Sequence, residues 1–185
     1  HAADSRMSAQ TPLRISGLFT YPVKSLQGHS HATRALTTEG LVGDREWIVV
    51  DRNGVFYTQR QNARLASIRA VANGLQITLE HEAVGAISAV ANANHTRNVR
   101  VWNDDVPAHD AGDEVAAWLS ALLDAEVRLL RYADPYTRRS SPRWAGDSGA
   151  HTRFADGFAV LVTNQASLDE LNTRMRHALP MDRFR

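Results

Sequence analysis

Between Leu13 and Trp102 apolar and polar residues alternate in short runs. The first, "LRISGLFTYPV", is rich in β-branched and aromatic residues, and its period of two predicts a strand. "REWIVVDRNGVFYTQR" sets apolar runs on either side of Asn53-Gly54, the pair favoured in two-residue type I′ turns, and predicts a hairpin. "ASIRAVANGLQITLE" repeats the device around Asn73-Gly74, and "RNVRVW" adds another alternating strand. Short strands at this spacing predict a small antiparallel barrel or sandwich.

From Asp113 the period changes. Val115, Trp118, Leu119, Leu122 and Leu123 fall on one face of an amphipathic helix, with Asp113 and Glu114 at its electropositive start. "EVRLLRY" predicts a further strand, and the polar, Pro-, Gly- and Ser-containing stretch 133–153 a loop or linker. "FADGFAVLVTN" predicts an apolar strand. "SLDELNTRMRHAL" predicts a second helix, with Ser167 and Glu170 as a capping box and Leu168, Leu171, Met175 and Ala178/Leu179 as its buried stripe. The opening "HAADSRMSAQTP" has no apolar signal-peptide core and is expected to be a flexible leader. The ending "PMDRFR" looks cut rather than finished. The expected fold class is mainly β with one or two helices. The expected organisation is a leader over 1–12, a β-barrel-like domain over 13–132, a linker over 133–153 and the incomplete opening of a second domain over 154–185.

Composition narrows the function classes. A formal net charge of +1 lacks the basic excess of a dedicated nucleic-acid binder. No apolar run reaches the roughly 20 residues of a membrane span. The absence of cysteine removes disulfides, zinc–thiolate sites, iron–sulfur ligation and a cysteine nucleophile from these residues. Lys24-Ser25 follows a strand that Pro22 ends or bends, with Gly28 allowing a tight turn nearby. An ammonium beside a hydroxyl suits phosphate or another oxyanion, and a solvated turn lysine fits the same spacing. Arg45 in "GLVGDREW" is either surface charge at a strand start or the planar fork that completes an anion pocket with Lys24. Arg60 and Arg64, flanked by Gln59 and Gln61, leave the same choice open. His29 and His31 would share a strand face, but no third metal ligand stands near them.

Taken in order, "LFTYPVKSLQG", "GLVGDREWIVVD", "YTQRQNARLA", "FAVLVTNQASLDELN" and "DRFR" resemble MOSC-domain proteins that carry the MOSC N-terminal β-barrel domain. The resemblance runs from about Leu13 to Arg185. That family includes amidoxime reducing components, bacterial reductases of N-hydroxylated bases and the C-terminal part of molybdenum cofactor sulfurases. Its members bind a molybdenum–pterin cofactor, and the reductases draw electrons from an iron–sulfur or haem partner. For this chain the resemblance implies cofactor contacts at Lys24, Ser25, Arg45, Thr163, Asn164 and Arg185, and it leaves the catalytic residues unassigned. The family's molybdenum ligand is a cysteine beyond the "RFR" element, a soft ligand that this chain lacks. The implied parent is a cytoplasmic, molybdenum-dependent oxidoreductase acting on N-hydroxylated or related small molecules, with no membrane or nucleic-acid partner. Residues 1–185 alone are expected to be inactive. The rival readings are sulfur transfer of the sulfurase kind, with pyridoxal phosphate as a less favoured cofactor, and a non-catalytic β-barrel recognition module.

Overall fold

The computed structural model of the protein describes residues 13–184. The leader expected over 1–12 and the candidate contact Arg185 lie outside the described residues. In chain order the strands are β1 (Phe19–Thr20), β2 (His29–Ser30), β3 (Leu36–Thr37), β4 (Gly40–Leu41), β5 (Trp47–Asp51), β6 (Arg69–Asn73), β7 (Gln76–His81), β8 (Gly85–Val90), β9 (Thr96–Val101), β10 (Asp104–Asp110), β11 (Val127–Tyr132), β12 (Arg138–Arg139) and β13 (His151–Thr152). The α-helices are α1 (Asp113–Leu123), the single turn α2 (Pro142–Ala145) and α3 (Gln165–Thr173). The fold is mostly β, as the alternating pattern predicts.

The main sheet is antiparallel, in the order β5-β11-β10-β9. It curls into a half-barrel, and the segment after β5 fills the gap between its edges. Phe56 bridges Val50 of β5 on one side, and Val55 bridges Arg100 of β9 on the other. A second sheet, β6-β7-β8, and helix α1 cover the outer face of β5 and β11. Strand alternation therefore divides β5 between two cores. Trp47 and Val49 pack with Leu65, Ile68, Leu79, Val115, Leu119 and Leu129. Ile48 and Val50 pack inside the curl with Val99, Val106, Leu130, Tyr132 and Phe154. Burial on both faces explains why β5 is a continuous apolar run, Trp47–Val50, rather than an alternating one.

Several local expectations change. The turn after β5 is not a two-residue type I′ turn. The Gly54 N–H donates to the Asp51 carbonyl and the Asp51 N–H to the Val55 carbonyl, giving a three-residue loop in which only Gly54 has positive φ, +76°. The cause is the Asp51 carboxylate, which accepts from the backbone N–H groups of Asn53 and Val55 and folds the chain into an Asx turn. In the next hairpin Asn73 pairs with Gln76, so the loop is Gly74-Leu75 with positive φ at Gly74 alone, the type II′ pattern. Helix α1 forms as predicted, burying Val115, Ala116, Leu119 and Leu123.

The second helix starts three residues before the predicted box. The Asn164 side chain accepts from the N–H groups of Ala166 and Ser167, which makes Asn164 the cap and leaves Ser167 inside the helix. The helix ends at Thr173, so Met175 and Leu179 lie beyond it. There Asn172 closes a loop by bonding both the N–H and the carbonyl of Leu179. The apolar run before α3 forms no strand. Among the described residues no segment pairs with it, and a strand without a partner leaves its backbone groups unmatched. Leu161 and Val162 stand exposed. The stretch 133–153 carries β12, α2 and β13 and buries Arg138, Ser140 and Thr152.

Asp110 at the end of β10 is buried and takes a two-pronged ion pair from Arg128 plus a second ion pair from Arg97. Burial alone pushes its carboxyl up, but the bonds from Arg128 and the Gly112 N–H and the charges of Arg128 and Arg97 outweigh it and hold it below the usual carboxylate range. A depressed native value contributes stability above the unfolded value, about 3.9, that is lost as pH falls through the native one. The melting temperature should therefore fall with pH below about 4, and Asp110→Asn should flatten that acid limb while lowering stability at neutral pH. Thermal unfolding from pH 7 down to about 2 checks this, and an unchanged acid limb in the variant would contradict it.

Candidate functional site

Two of the motifs singled out in the sequence run side by side. The Arg45 N–H donates to the Tyr21 carbonyl, the Trp47 N–H to the Pro22 carbonyl and the Lys24 N–H to the Trp47 carbonyl. Val23 and Trp47 form a parallel bridge. Proline suits this place because its missing N–H is not called on while its carbonyl is. Asp44 fastens the crossing: one oxygen accepts from the Tyr21 N–H at 2.6 Å, and the other holds Nη1 of Arg45 at 2.5 Å. The Arg45 guanidinium lies over the Tyr21 ring, 4.8 Å from its centroid. Gly28 makes room for that ring, since a Cβ there would stand 2.4 Å from Cε1 of Tyr21. Its φ is not positive, so clearance rather than a tight turn accounts for the glycine. Ser25 has φ +71° and its carbonyl accepts from the Gln59 side chain at 2.6 Å.

Lys24 is not a solvated turn lysine. It is 8% exposed, and its ammonium donates to Oδ1 of Asp156 at 2.5 Å. The same oxygen accepts from the Trp102 indole N–H at 3.0 Å. Trp102 stacks at a tilt on Phe56, with centroids 4.9 Å apart, and the Lys24 ammonium lies 5.6 Å from the centre of the Phe56 ring. Burial pushes the Lys24 amine below its ordinary value; the Asp156 bond and charge oppose this, and the positive charges of Arg45 and Arg138 add to the lowering. Partial burial pushes Asp156 up, but the Lys24 bond and charge, the Trp102 bond and the Arg45 charge outweigh it and hold the carboxyl low. The arm that brings Asp156 here is clamped by Arg138. That guanidinium donates to Asp104 of β10 and to the carbonyls of Arg153, Ala155 and Asp156, and the Ser140 hydroxyl donates to the Gly157 carbonyl.

The structure thus brings Lys24, Ser25 and Arg45 to one place and adds Asp156, Trp102, Phe56 and Arg138, which the sequence did not flag. Thr163 and Asn164 are exposed, and Asn164 is engaged as the cap of α3. Among the described residues neither bonds to Lys24, Ser25 or Arg45. Arg60 is exposed, and Arg64 donates to the Leu122 carbonyl. His29 is hydrogen-bonded to the Ala70 carbonyl and His31 to the Thr20 hydroxyl, and among the described residues no cluster of three potential metal ligands occurs. Nor is any described helix long and apolar enough to cross a membrane. A groove of about 490 Å³ between β7, β8 and the start of α1 shares no residue with the site, and its charged residues are the acids Asp113 and Glu114. For a pterin cofactor's anionic part, Lys24 and Arg45 supply the right charge and donors. Asp156 is the acid that shares the place.

The family profile of the MOSC N-terminal beta barrel domain matches residues 12–126. The chain is 28% identical to human mitochondrial amidoxime reducing component 2 over 92% of its length and 54% of that protein's. It is 34% identical to the molybdenum cofactor sulfurase of Drosophila mojavensis over 93% of its length and 23% of that protein's. The chain therefore spans about half of the first relative and about a quarter of the second. A solution structure of a Bordetella bronchiseptica protein overlaps 63% of this chain and 98% of its own, at 17% identity and a TM-score of 0.41.

Two substitutions test how the site is held. Arg138→Met should destabilise the protein by about 3 kcal/mol, since it leaves Asp104 and three carbonyls without their donor. Amide exchange should rise in the 154–157 arm before it rises in β5; uniform exchange would show that the clamp is not local. Gly28→Ala should cost about 2 kcal/mol by displacing the Tyr21 ring, and the loss of ring-current shifts at Arg45 in NMR spectra would report the displacement.

Proposed function

This chain belongs to the MOSC N-terminal beta barrel domain family, and on that premise we propose that its Lys24–Arg45 face holds the anionic part of a molybdenum–pterin cofactor. The parent protein would reduce N-hydroxylated or related small molecules, as the name of the human relative suggests for that protein. When bound, the cofactor would supply two-electron redox chemistry at its metal. The chain's own residues position and neutralise. The lowered amine of Lys24 and the permanently charged fork of Arg45 offer donors to phosphate oxygens, the backbone bonds between Tyr21–Lys24 and Arg45–Trp47 keep the two cations in register, and the stacked Phe56 and Trp102 shield Lys24 from water. Ser25 would add a hydroxyl. Thr163, Asn164 and Arg185 would join from the region after residue 154, which we read as the opening of a MOSC domain, with 13–132 as the barrel domain and 133–153 as the connection. A thiolate for the metal would come from outside these 185 residues, which contain no cysteine.

The observation that carries this reading is the convergence of Lys24 and Arg45, 21 residues apart in sequence, through the bridge between Val23 and Trp47. The test is cofactor content. Protein containing this chain, purified from a host that makes the cofactor, should carry molybdenum and pterin, and a Lys24→Ala, Arg45→Ala double variant should retain at least about tenfold less of both. Metal-free, pterin-free wild-type protein would sink the proposal. The likeness to a molybdenum cofactor sulfurase favours one alternative, sulfur transfer at the same cofactor. Reduction of an N-hydroxylated amidine with a supplied electron donor, against sulfuration of a desulfo enzyme, separates the two.

A further inference from the structure

The cationic site is already holding an anion of its own. Lys24 is the inner partner of the ion pair and Asp156 the outer one, with side chains 9% and 65% exposed. What fixes the arm is its backbone: Arg138 and Ser140 bond to carbonyls from Arg153 to Gly157. The Asp156 carboxylate itself is held only through Oδ1, by Lys24 and by the Trp102 indole. Oδ2 accepts no hydrogen bond among the described residues. A rotation of one exposed side chain could therefore vacate Lys24 without moving the clamped arm.

Trp102 adds a second mark. It lies in the tight β9–β10 turn with φ +56°, an uncommon conformation for a bulky residue. Its indole reaches Asp156 from that position. Resting on the reading of Lys24 and Arg45 as an oxyanion site, we propose that Asp156 is an internal competitor for that site, displaced by the incoming ligand, and that it sets the ligand's charge. A singly charged anion that replaces Asp156 exchanges one unit charge for another and gains little. A dianionic phosphate gains a second unit of attraction from Lys24 and Arg45 at close range. The site would thus select phosphate-type dianions against monoanions of similar size.

The experiment titrates the 185-residue chain with inorganic phosphate and, separately, with nitrate, following amide shifts near Lys24. It is done at about pH 8, above the second ionisation of phosphate. Wild type should respond to phosphate and barely to nitrate. Asp156→Asn keeps the indole's acceptor and removes the charge. It should tighten phosphate binding about tenfold and admit nitrate as well. Lys24→Met should abolish binding in both backgrounds, and Asp156→Ser should repeat the gain if the asparagine variant perturbs folding.

Unchanged phosphate and nitrate affinity in Asp156→Asn, with loss on Lys24→Met, would overturn the competitor and leave the oxyanion site standing. Binding that is indifferent to Lys24→Met would overturn both. Absence of phosphate binding in every variant would do the same.

Discussion

Arg138 is a charged side chain with 5% of its surface exposed, and the architecture around the candidate site depends on how that charge is satisfied. A buried guanidinium is tolerable only when its donors are matched. Here Asp104 provides the countercharge from the main sheet, and the carbonyls of Arg153, Ala155 and Asp156 take the remaining bonds. Those carbonyls belong to a stretch that leaves the short β12–β13 ladder and, among the described residues, has no strand beside it. The guanidinium does for that arm what a neighbouring strand does elsewhere. Once the arm is fixed, Phe154 enters the inner core edge-on to Tyr132, with centroids 5.3 Å apart, and Asp156 falls against Lys24.

A second arginine anchors the same arm from the other side. Arg153 pairs with Glu39, Glu46 and Asp134, and Arg131 pairs with Glu46 and Asp134 in turn. Single exposed ion pairs contribute little. This group is different because Arg153, Arg131 and Glu46 are mostly buried and share partners, so displacing one leaves others unmatched. The network joins the β3–β4 hairpin, the entry to β5 and the exit from β11. Arg45 lies at that entry, one residue before Glu46, and its carbonyl accepts from the Phe154 N–H. The candidate cations are therefore located by bonds arriving from several directions.

The sheet was readable because its information is local. The short apolar runs of β5 and β11 and the 3.6-residue period of α1 are local patterns that tertiary contacts reinforce. The nearness of Lys24 and Arg45 was also suggested by residue type and strand position. What stayed hidden depends on contacts remote in sequence. Lys24 changes from a turn lysine into a buried one because of Asp156, 132 residues away, and no spacing rule carries that contact. The start of α3 was misplaced for a different reason. Asn164 and Ser167 are both good caps, and the choice fell to the one whose side chain reaches two free N–H groups. The run "FAVLVT" has a strand's composition, yet composition cannot provide the partner that a strand requires.

Backbone strain marks the same place independently. Among the described residues four that are not glycine have positive φ: Ser25, Arg45, Trp102 and Asp124. Asp124 caps the end of α1, where the left-handed conformation is ordinary. The other three surround Lys24. Each costs on the order of 1 kcal/mol relative to a relaxed residue, and a glycine would relieve it. Their side chains account for their presence, since Arg45 covers the Tyr21 ring and Trp102 bonds Asp156. A fold selected for stability alone would gain by placing glycine at these turns. Retaining an arginine and a tryptophan there makes sense if the site needs a fixed cation and a fixed indole, which is the demand an oxyanion-binding surface makes.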